Sequence, residues 1–306
     1  MGNGLPEGIT RDYPLSRLTT IRTGGPAELF ARPGTVGELE AVLAWAGAEG
    51  VEVGVVGSGS NLLIADAGVR GLVLKLDHEL TQITVDGTRI DCGGGARLPA
   101  VSAQAARAGL SGIEFGVNIP GTVGGAVRMN ANAYGGELAR ALEWVDVTSA
   151  AGTVRRAPDE LGFAYRRSGL RAGEVVARAA FALSPLPSDD VKRTLGEMRS
   201  KRRAAQPSGI KTFGSTFKNP TDPRAQGRTA GQLLEAAGAR GLRVGGARFS
   251  AKHANFVENV EDATTADVVA LMAQGRRRVR EHFGVDLEPE VQTLGPVQFP
   301  ADWVLP

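Results

Sequence analysis

Apolar positions recur along this chain with two periods, and the changes from one to the other mark out its elements. Val36, Leu39, Val42, Leu43 and Ala46 fall on one face at helical spacing, which predicts a helix over 35–46. Residues 51–56 then read as a short buried strand, followed by a strand over 69–76 and a strand pair over 82–92 about Asp86-Gly87. A second helix is predicted over 98–108, ended by Gly109, and residues 113–136 form a long glycine-rich passage. A hairpin about Ala151-Gly152 and a strand over 174–183 come next. Pro185 and Pro187 break the pattern before a charged helix over 189–205. The last third holds a helix over 230–237 and an amphipathic helix over 266–283. The steady strand–helix alternation of a parallel sheet is missing, so the fold class is α+β.

At 306 residues the chain is long enough for two or three cores. Its net charge of +2 gives no field that would select a nucleic acid. The basic run Arg276-Arg277-Arg278-Val279-Arg280 lies on a helix whose Val268, Leu271, Met272 and Val279 face inward, which predicts a solvated face. One cysteine, Cys92, excludes an intrachain disulfide and a cysteine-based metal cluster, and no metal is expected. Residues 1–10 contain no apolar leader core, and no run of about 18 apolar residues exists, so a cytoplasmic protein without membrane contact is expected.

The glycines cluster in loops. Gly57, Ser58, Gly59, Ser60, Asn61 and Leu62 follow an apolar strand, so backbone N–H groups and short polar side chains can converge on a diphosphate. A plain loop has the same composition, and the sixth-position glycine of the dinucleotide fingerprint is absent. Pro120, Gly121, Thr122, Gly124 and Gly125 form a second such loop, which reads either as a cofactor cradle or as a tight helix-to-sheet crossing. Further on, Gly214-Ser215-Thr216-Phe217-Lys218-Asn219-Pro220 places a hydroxyl beside a lysine, and Glu288-Pro289-Glu290-Val291 supplies a late carboxylate. Ser215 reads as a proton donor or as a turn serine bonding its own backbone; Glu288 and Glu290 compete for the carboxylate role.

These segments resemble one family in order. Thr20-Ile21-Arg22-Thr23-Gly24-Gly25-Pro26-Ala27, the Gly57 loop with Asp66-Ala67-Gly68-Val69-Arg70-Gly71, and Gly112-Ile113-Glu114-Phe115 with Met129-Asn130-Ala131 look like the UDP-N-acetylenolpyruvoylglucosamine reductases. The likeness continues through Tyr165-Arg166-Arg167-Ser168, the Ser215 loop, Gly245-Gly246-Ala247, Lys252-His253-Ala254-Asn255-Phe256 and Leu287 to Val291, over roughly residues 17 to 295.

The resemblance implies a FAD-binding domain of the vanillyl-alcohol-oxidase (PCMH) type over 1–190, with α+β subdomains about 1–78 and 79–190. A substrate-binding α+β domain over 191–306 follows. It implies an NADPH-dependent flavoenzyme that reduces UDP-N-acetylglucosamine enolpyruvate to UDP-N-acetylmuramate in peptidoglycan precursor synthesis. The flavin passes hydride from N5 to C3 and Ser215 delivers a proton to C2. Arg166 and Glu290 match the family's other catalytic positions, and Tyr165, Lys218 and Asn219, the last because it shares the Ser215 turn, are expected to contact the UDP-sugar. FAD is expected to be non-covalent, since the Gly57 loop contains neither His nor Cys. The length implies the compact form without an extra substrate-covering insertion, and a monomer is expected.

Two departures stand out. The family often carries Gly where this chain has Asn132, and an asparagine tolerates the positive φ of a turn. Ala205 replaces a common lysine, leaving Lys201, Arg202, Arg203 or Lys211 as substitutes for one diphosphate contact. The alternatives are a related flavin oxidase acting on another alcohol or sugar, and a flavin or nucleotide-sugar binding protein without turnover.

Overall fold

The strand Val175–Ala182 is buried almost throughout, because it contributes to two cores at once. Its register explains how. Asp146 pairs with Arg178 but Val147 with Val176, so Ala177 is an extra, bulged residue. The bulge shifts the side-chain alternation: Val175 and Ala177 pack with Leu39, Leu43 and Leu72, whereas Val176, Ala179 and Phe181 pack with Leu98, Val101 and Val127.

The computed structural model describes residues 5–303, and its contacts divide the chain into two units. The first unit takes the chain up to Arg11, Glu28–Ser58 and Gly71–Arg202; the second takes Asp12–Ala27, Gly59–Arg70 and Arg203 onward. The sequence reading divides the chain at 190/191. In the structure the helix Ser188–Ala205 stays with the first unit as far as Arg202, because Val191 and Leu195 pack with Ala106 and Val117.

In the first unit a five-stranded antiparallel sheet has the order Gly152–Arg156, Leu142–Ser149, Val175–Ala182, Arg89–Gly93, Ile83–Asp86. The helices Leu98–Arg107 and Val123–Arg128 contribute buried residues to its core. The predicted first helix forms over Val36–Ala48, with the Thr35 hydroxyl accepting from Glu38 N–H as N-cap. The predicted strand at 51–56 shortens to Val53–Val55 and is not buried throughout; it is the edge strand beside Val69–Leu74, so Val55 is exposed. The hairpin turns also shift by one residue: Asp86 pairs with Arg89 and Ser149 with Gly152, which makes Gly87-Thr88 and Ala150-Ala151 the loops.

The passage over 113–136 is more structured than its glycines suggest. It holds a 3-10 turn Glu114–Asn118, the short helix Val123–Arg128 and a two-stranded ribbon Asn132–Ala133 with Gly136–Glu137. Tyr134 (φ 51°) and Gly135 (φ 82°) form the ribbon's turn, with both central residues left-handed as a two-residue hairpin of type I′ requires. Asn132 sits in the strand rather than at a positive φ, so the conformational tolerance expected of it is not what the structure uses.

The second unit pairs Thr212–Ser215, Phe256–Asn259, Ala247–Phe249 and Arg243–Val244, in that order, with the helices Ala230–Ala236 and Thr265–Phe283. Gln292–Leu294 runs parallel to Leu62–Ile64. Val268, Leu271, Met272 and Val279 face the core as predicted, but the basic run is not simply a solvated face. Arg276 is buried, bonding Leu287 O and pairing with Asp286 and Asp302, and Arg280 joins the same two carboxylates. The paired acids come from after the helix, which a local charge pattern does not reveal.

Candidate active site

The first unit brings its glycine loops together at Gly57 and Thr122: a Cβ on Gly57 would collide with the Thr122 hydroxyl. Lys75 Nζ donates to Gly57 O at 2.7 Å, and burial lowers the pKa of this ammonium, aided by Arg32. Nothing in the sequence singles out Lys75. In the second loop the protein already uses three N–H groups, that of Val123 on Ala96 O (2.8 Å) and those of the two glycines. Gly124 N donates to Gly94 O (2.7 Å) and Gly125 N to the Thr122 hydroxyl (3.3 Å). Gly121 and Thr122 donate to no backbone acceptor among the described residues, and a Cβ on Gly121 would meet only Ile119, at 3.8 Å.

The same holds along the first loop. None of the N–H groups of Gly57, Ser58, Gly59, Ser60 and Asn61 donates to a backbone acceptor among the described residues. Thr20 explains part of this shape: its N–H and its hydroxyl both donate to Gly59 O at 3.0 Å, fixing that carbonyl on the protein side. Gly59 sits at φ 63°, and a Cβ there would strike the Leu18 carbonyl. Within the first unit, the unspent N–H groups of Gly57 and Ser58 and of Gly121 and Thr122 suit an anion carrying several oxygens, so these residues fit a diphosphate-bearing flavin nucleotide.

Tyr165 and Arg166 form the tip of a tight turn closed by reciprocal Ala164–Arg167 backbone bonds of 2.9 and 3.1 Å. Arg166 is left-handed (φ 57°), a conformation costing a non-glycine residue about 1–2 kcal/mol. Its Nη1 donates to Asn132 Oδ1 (2.9 Å) and to Asn132 O (3.2 Å), and its guanidinium lies 5.3 Å from the Tyr165 ring centroid. The Tyr165 side chain itself is exposed.

Arg202, offered in the sequence as a replacement for the missing lysine, donates instead to the Asn118 carbonyl. Burial lowers its pKa. Lys201, Arg203 and Lys211 are exposed.

In the second unit Ser215 ends the strand Thr212–Ser215, paired with Phe256. The following residues pair on the other side with the late acidic segment. Phe217 opposes Pro289, Glu290 N donates to Thr216 O (2.9 Å), and Lys218 N donates to Glu288 O (2.9 Å). The structure thus pairs the residues just after Ser215 with the segment that ends in Glu290, and Thr216 and Phe217 are fully buried. It also separates the two glutamates: Glu288 is exposed and 3.4 Å from Lys218 Nζ, whereas Glu290 is half-buried. Asn61 Nδ2 donates to Glu290 O (3.3 Å), so this loop residue braces the acidic segment through its side chain. Asn219 Oδ1 accepts from Ala230 N (3.1 Å) at the start of a helix.

Asn255 and His253 matched motif positions without a task, and the structure supplies one for each. Asn255 accepts from Phe217 N (2.9 Å) and donates to Phe217 O (2.8 Å), imitating a strand partner for the segment after Ser215. His253 accepts from Asn255 N at Nδ1 (3.2 Å), and burial lowers its pKa, so it is a neutral support. Cys92 is buried and its thiol is pushed up to about 12, which makes it unreactive. Among the described residues no group of His, Cys, Asp and Glu is arranged to hold a metal, and no helix is long and apolar enough to cross a membrane.

Comparison with known proteins accords with this geometry. A model of the FAD binding domain matches residues 27–158, and a model of the UDP-N-acetylenolpyruvoylglucosamine reductase C-terminal domain matches residues 206–294. The chain is 44% identical over 292 residues to UDP-N-acetylenolpyruvoylglucosamine reductase 2 of Symbiobacterium thermophilum, covering 95% of this chain and 93% of that one. It is 43% identical over 286 residues to the reductase of Rubrobacter xylanophilus, covering 93% and 94%. The crystal structure of UDP-N-acetylenolpyruvylglucosamine reductase (MurB) from Thermus caldophilus superposes with a TM-score of 0.80 at 38% identity, over 94% of this chain and 98% of that one. With likeness of this extent in sequence and in fold, the chain belongs to the UDP-N-acetylenolpyruvoylglucosamine reductase family.

Proposed function

We propose that this chain works as a FAD-containing oxidoreductase that uses NADPH to reduce UDP-N-acetylenolpyruvoylglucosamine to UDP-N-acetylmuramate, in peptidoglycan precursor synthesis. The observation that carries the site assignment is the backbone pairing that fixes the Ser215 segment against Glu290. Bound FAD supplies the redox step, taking two electrons from NADPH and returning them as hydride to C3 of the enolpyruvyl ether. The part read as the FAD-binding domain, whose last helix extends it to Arg202, would hold the flavin, and the part from Arg203 onward would receive the sugar nucleotide. The N–H groups of Gly57 and Ser58 and of Gly121 and Thr122 would hold the FAD diphosphate, Gly59, Ser60 and Asn61 continue the first loop, and Leu62 and Pro120 close the loop ends. Gly124 and Gly125 let the backbone come near. The flavin is non-covalent, in keeping with a first loop that lacks His and Cys and with the inert Cys92.

Hydride arriving at C3 leaves carbanion character at C2, conjugated with the substrate carboxylate. Ser215 gives its hydroxyl proton to C2 from close range. Arg166 meets the carboxylate as its charge grows, since a planar fork holds two carboxylate oxygens at once. Glu290 completes the site and Glu288 does not: its charge is exposed and offset by Lys218. Tyr165, Lys218 and Asn219 contact the UDP-sugar; the 3.4 Å Lys218–Glu288 contact is loose enough to yield to a phosphate oxygen. The enzyme acts as a cytoplasmic monomer on small molecules alone, a reading in line with its near-neutral charge.

An anaerobic stopped-flow experiment tests the reading. NADPH should bleach the flavin band, and only the UDP-enolpyruvyl sugar should restore it. Bleaching without recovery on that sugar would transfer the chain to an oxidase acting on something else. A protein that cannot be loaded with FAD would remove the cofactor assignment.

A further inference from the structure

Behind the first glycine loop stands a cation that no sequence motif marks. We propose that Lys75 is a positioning residue for FAD: its ammonium holds the Gly57 carbonyl, turns the Ser58 N–H toward the diphosphate and lends the loop a positive charge. The inference deepens the reading of the glycine loops given above and rests on it.

The strands Val53–Val55 and Val69–Leu74 run parallel with Val55 opposite Leu74, so their carboxyl ends lie side by side. Val56 N extends the pairing to Leu74 O at 2.8 Å. Gly57 thus leaves one strand beside the point where Lys75 leaves the other, and Nζ reaches Gly57 O at 2.7 Å. In a trans peptide the carbonyl and the N–H that follows it point in opposite directions. With its oxygen held by Lys75, this peptide aims the Ser58 N–H away from the ammonium, and that N–H donates to no backbone acceptor among the described residues. A charged donor on the carbonyl also polarises the peptide, which strengthens the N–H as a donor in turn. Gly57 leaves no room for a side chain here, since its Cβ would lie 2.4 Å from Thr122 Oγ1.

The charge is not offset by a carboxylate of its own. Lys75 forms no ion pair among the described residues. Burial lowers its pKa first, then Arg32 and, more weakly, Arg97; Asp77 acts the other way and lies 3.6 Å from Arg32. A half-buried ammonium facing two arginines is a cost to the protein alone. A diphosphate on the loop offsets that cost, so binding the anion and keeping the proton on Lys75 favour each other.

The test dilutes FAD-loaded wild type, Lys75→Met, Lys75→Arg and Gly121→Val between pH 7 and pH 10. The flavin fluorescence restored on release gives the dissociation constant. At pH 7 Lys75→Met, which keeps the apolar stem, should hold FAD about tenfold more weakly, the scale of one hydrogen bond to a charged group. Wild-type affinity is full while Lys75 is charged and falls as pH rises through its lowered value, so the gap to Lys75→Met should narrow towards pH 10. Lys75→Arg stays charged throughout; it should bind within a few-fold of wild type at pH 7 and lose less affinity at pH 10.

Equal affinity of wild type and Lys75→Met at pH 7 overturns the inference. So does a gap that stays constant to pH 10, which would mark a merely structural residue, or a Lys75→Arg protein that weakens with pH as the wild type does. Gly121→Val tests the underlying reading, because a Cβ there meets only Ile119 and the larger side chain would occupy the open side of the second loop. If Gly121→Val binds FAD as the wild type does, the cradle reading fails first. If it loses FAD and Lys75→Met does not, the inference alone fails.

Discussion

The Ser215 segment and the Arg166 turn place their side chains by opposite means. Ser215 sits at the end of a strand whose continuation is paired on both sides, by Asn255 and by the Glu288–Glu290 segment, over fully buried Phe213 and Phe217. Arg166 sits at a half-exposed turn in a left-handed conformation, and the turn is restrained by side chains, Asn130 donating to Ala164 O and Arg166 donating to Asn132. Backbone pairing over a packed core fixes a position at the cost of adjustability. Side-chain restraint allows tuning, because one substitution changes the hold without dismantling a sheet. Ser215, the proposed proton donor, belongs to the first kind, and Arg166, proposed to meet the substrate carboxylate, to the second.

The largest effect expected from breaking this contrast is that of Ser215→Ala. Flavin reduction by NADPH should be nearly unchanged, and reoxidation by the UDP-enolpyruvyl sugar slower by about 10³-fold, as for loss of a general acid. Equal losses in the two half-reactions, read by stopped flow, would deny Ser215 its role. Glu290→Gln should come next, with kcat falling by about 10–100-fold and KM rising less, the pattern of an interaction strengthened in the transition state. An unchanged kcat in steady-state assays would return the role to Glu288.

Asn255→Leu sharpens the comparison on the rigid side. It leaves the N–H and carbonyl of buried Phe217 without their side-chain partner, which should cost about 2–3 kcal/mol in denaturant unfolding and slow reoxidation a few-fold. A variant of full stability would show that the loop is held by its backbone neighbours alone.

The smallest effect concerns the segment after the arginine turn, where Arg128 gathers the carbonyls of Leu170, Arg171 and Glu174. The Arg156 hydrogen bonds hold the Glu174 carboxyl below its usual 4.5, with Arg171 N–H assisting. A depressed carboxylate pKa means stability that is present above about pH 4.5 and lost as pH falls through the folded value. Glu174→Gln should therefore lower stability by about 1–2 kcal/mol at pH 7 and flatten the acid limb of a stability–pH curve. An acid limb as steep as that of the wild type would assign the acid sensitivity to other groups.

Much of this was legible in residue order. Period 3.6 marked the helices at 36–48, 98–107 and 265–283, and glycine with small polar residues marked both candidate cofactor loops. Other features were not. The helix Val123–Arg128 hides in a glycine-rich passage, because its first turn is held by Thr122 and by the Gly94 carbonyl rather than by helix-forming side chains. The expectation for Asn132 concerned its own backbone, whereas the structure engages it with a residue 34 positions away. Asn255 likewise acts 38 positions away, on Phe217.

The sequence by itself determined what depends on neighbours within a turn or a few turns of chain: periodicity, caps, loop glycines, and the order of motifs that places the chain in its family. The tertiary structure alone decided which N–H groups are already spent inside the protein, as at Gly124 and Gly125, and which of two nearby glutamates is exposed and paired with a lysine. It alone decided that Asn132 meets Arg166. Short-range preferences are written into adjacent side chains, whereas hydrogen-bond partners across tens of residues follow from register and topology, which no local pattern encodes.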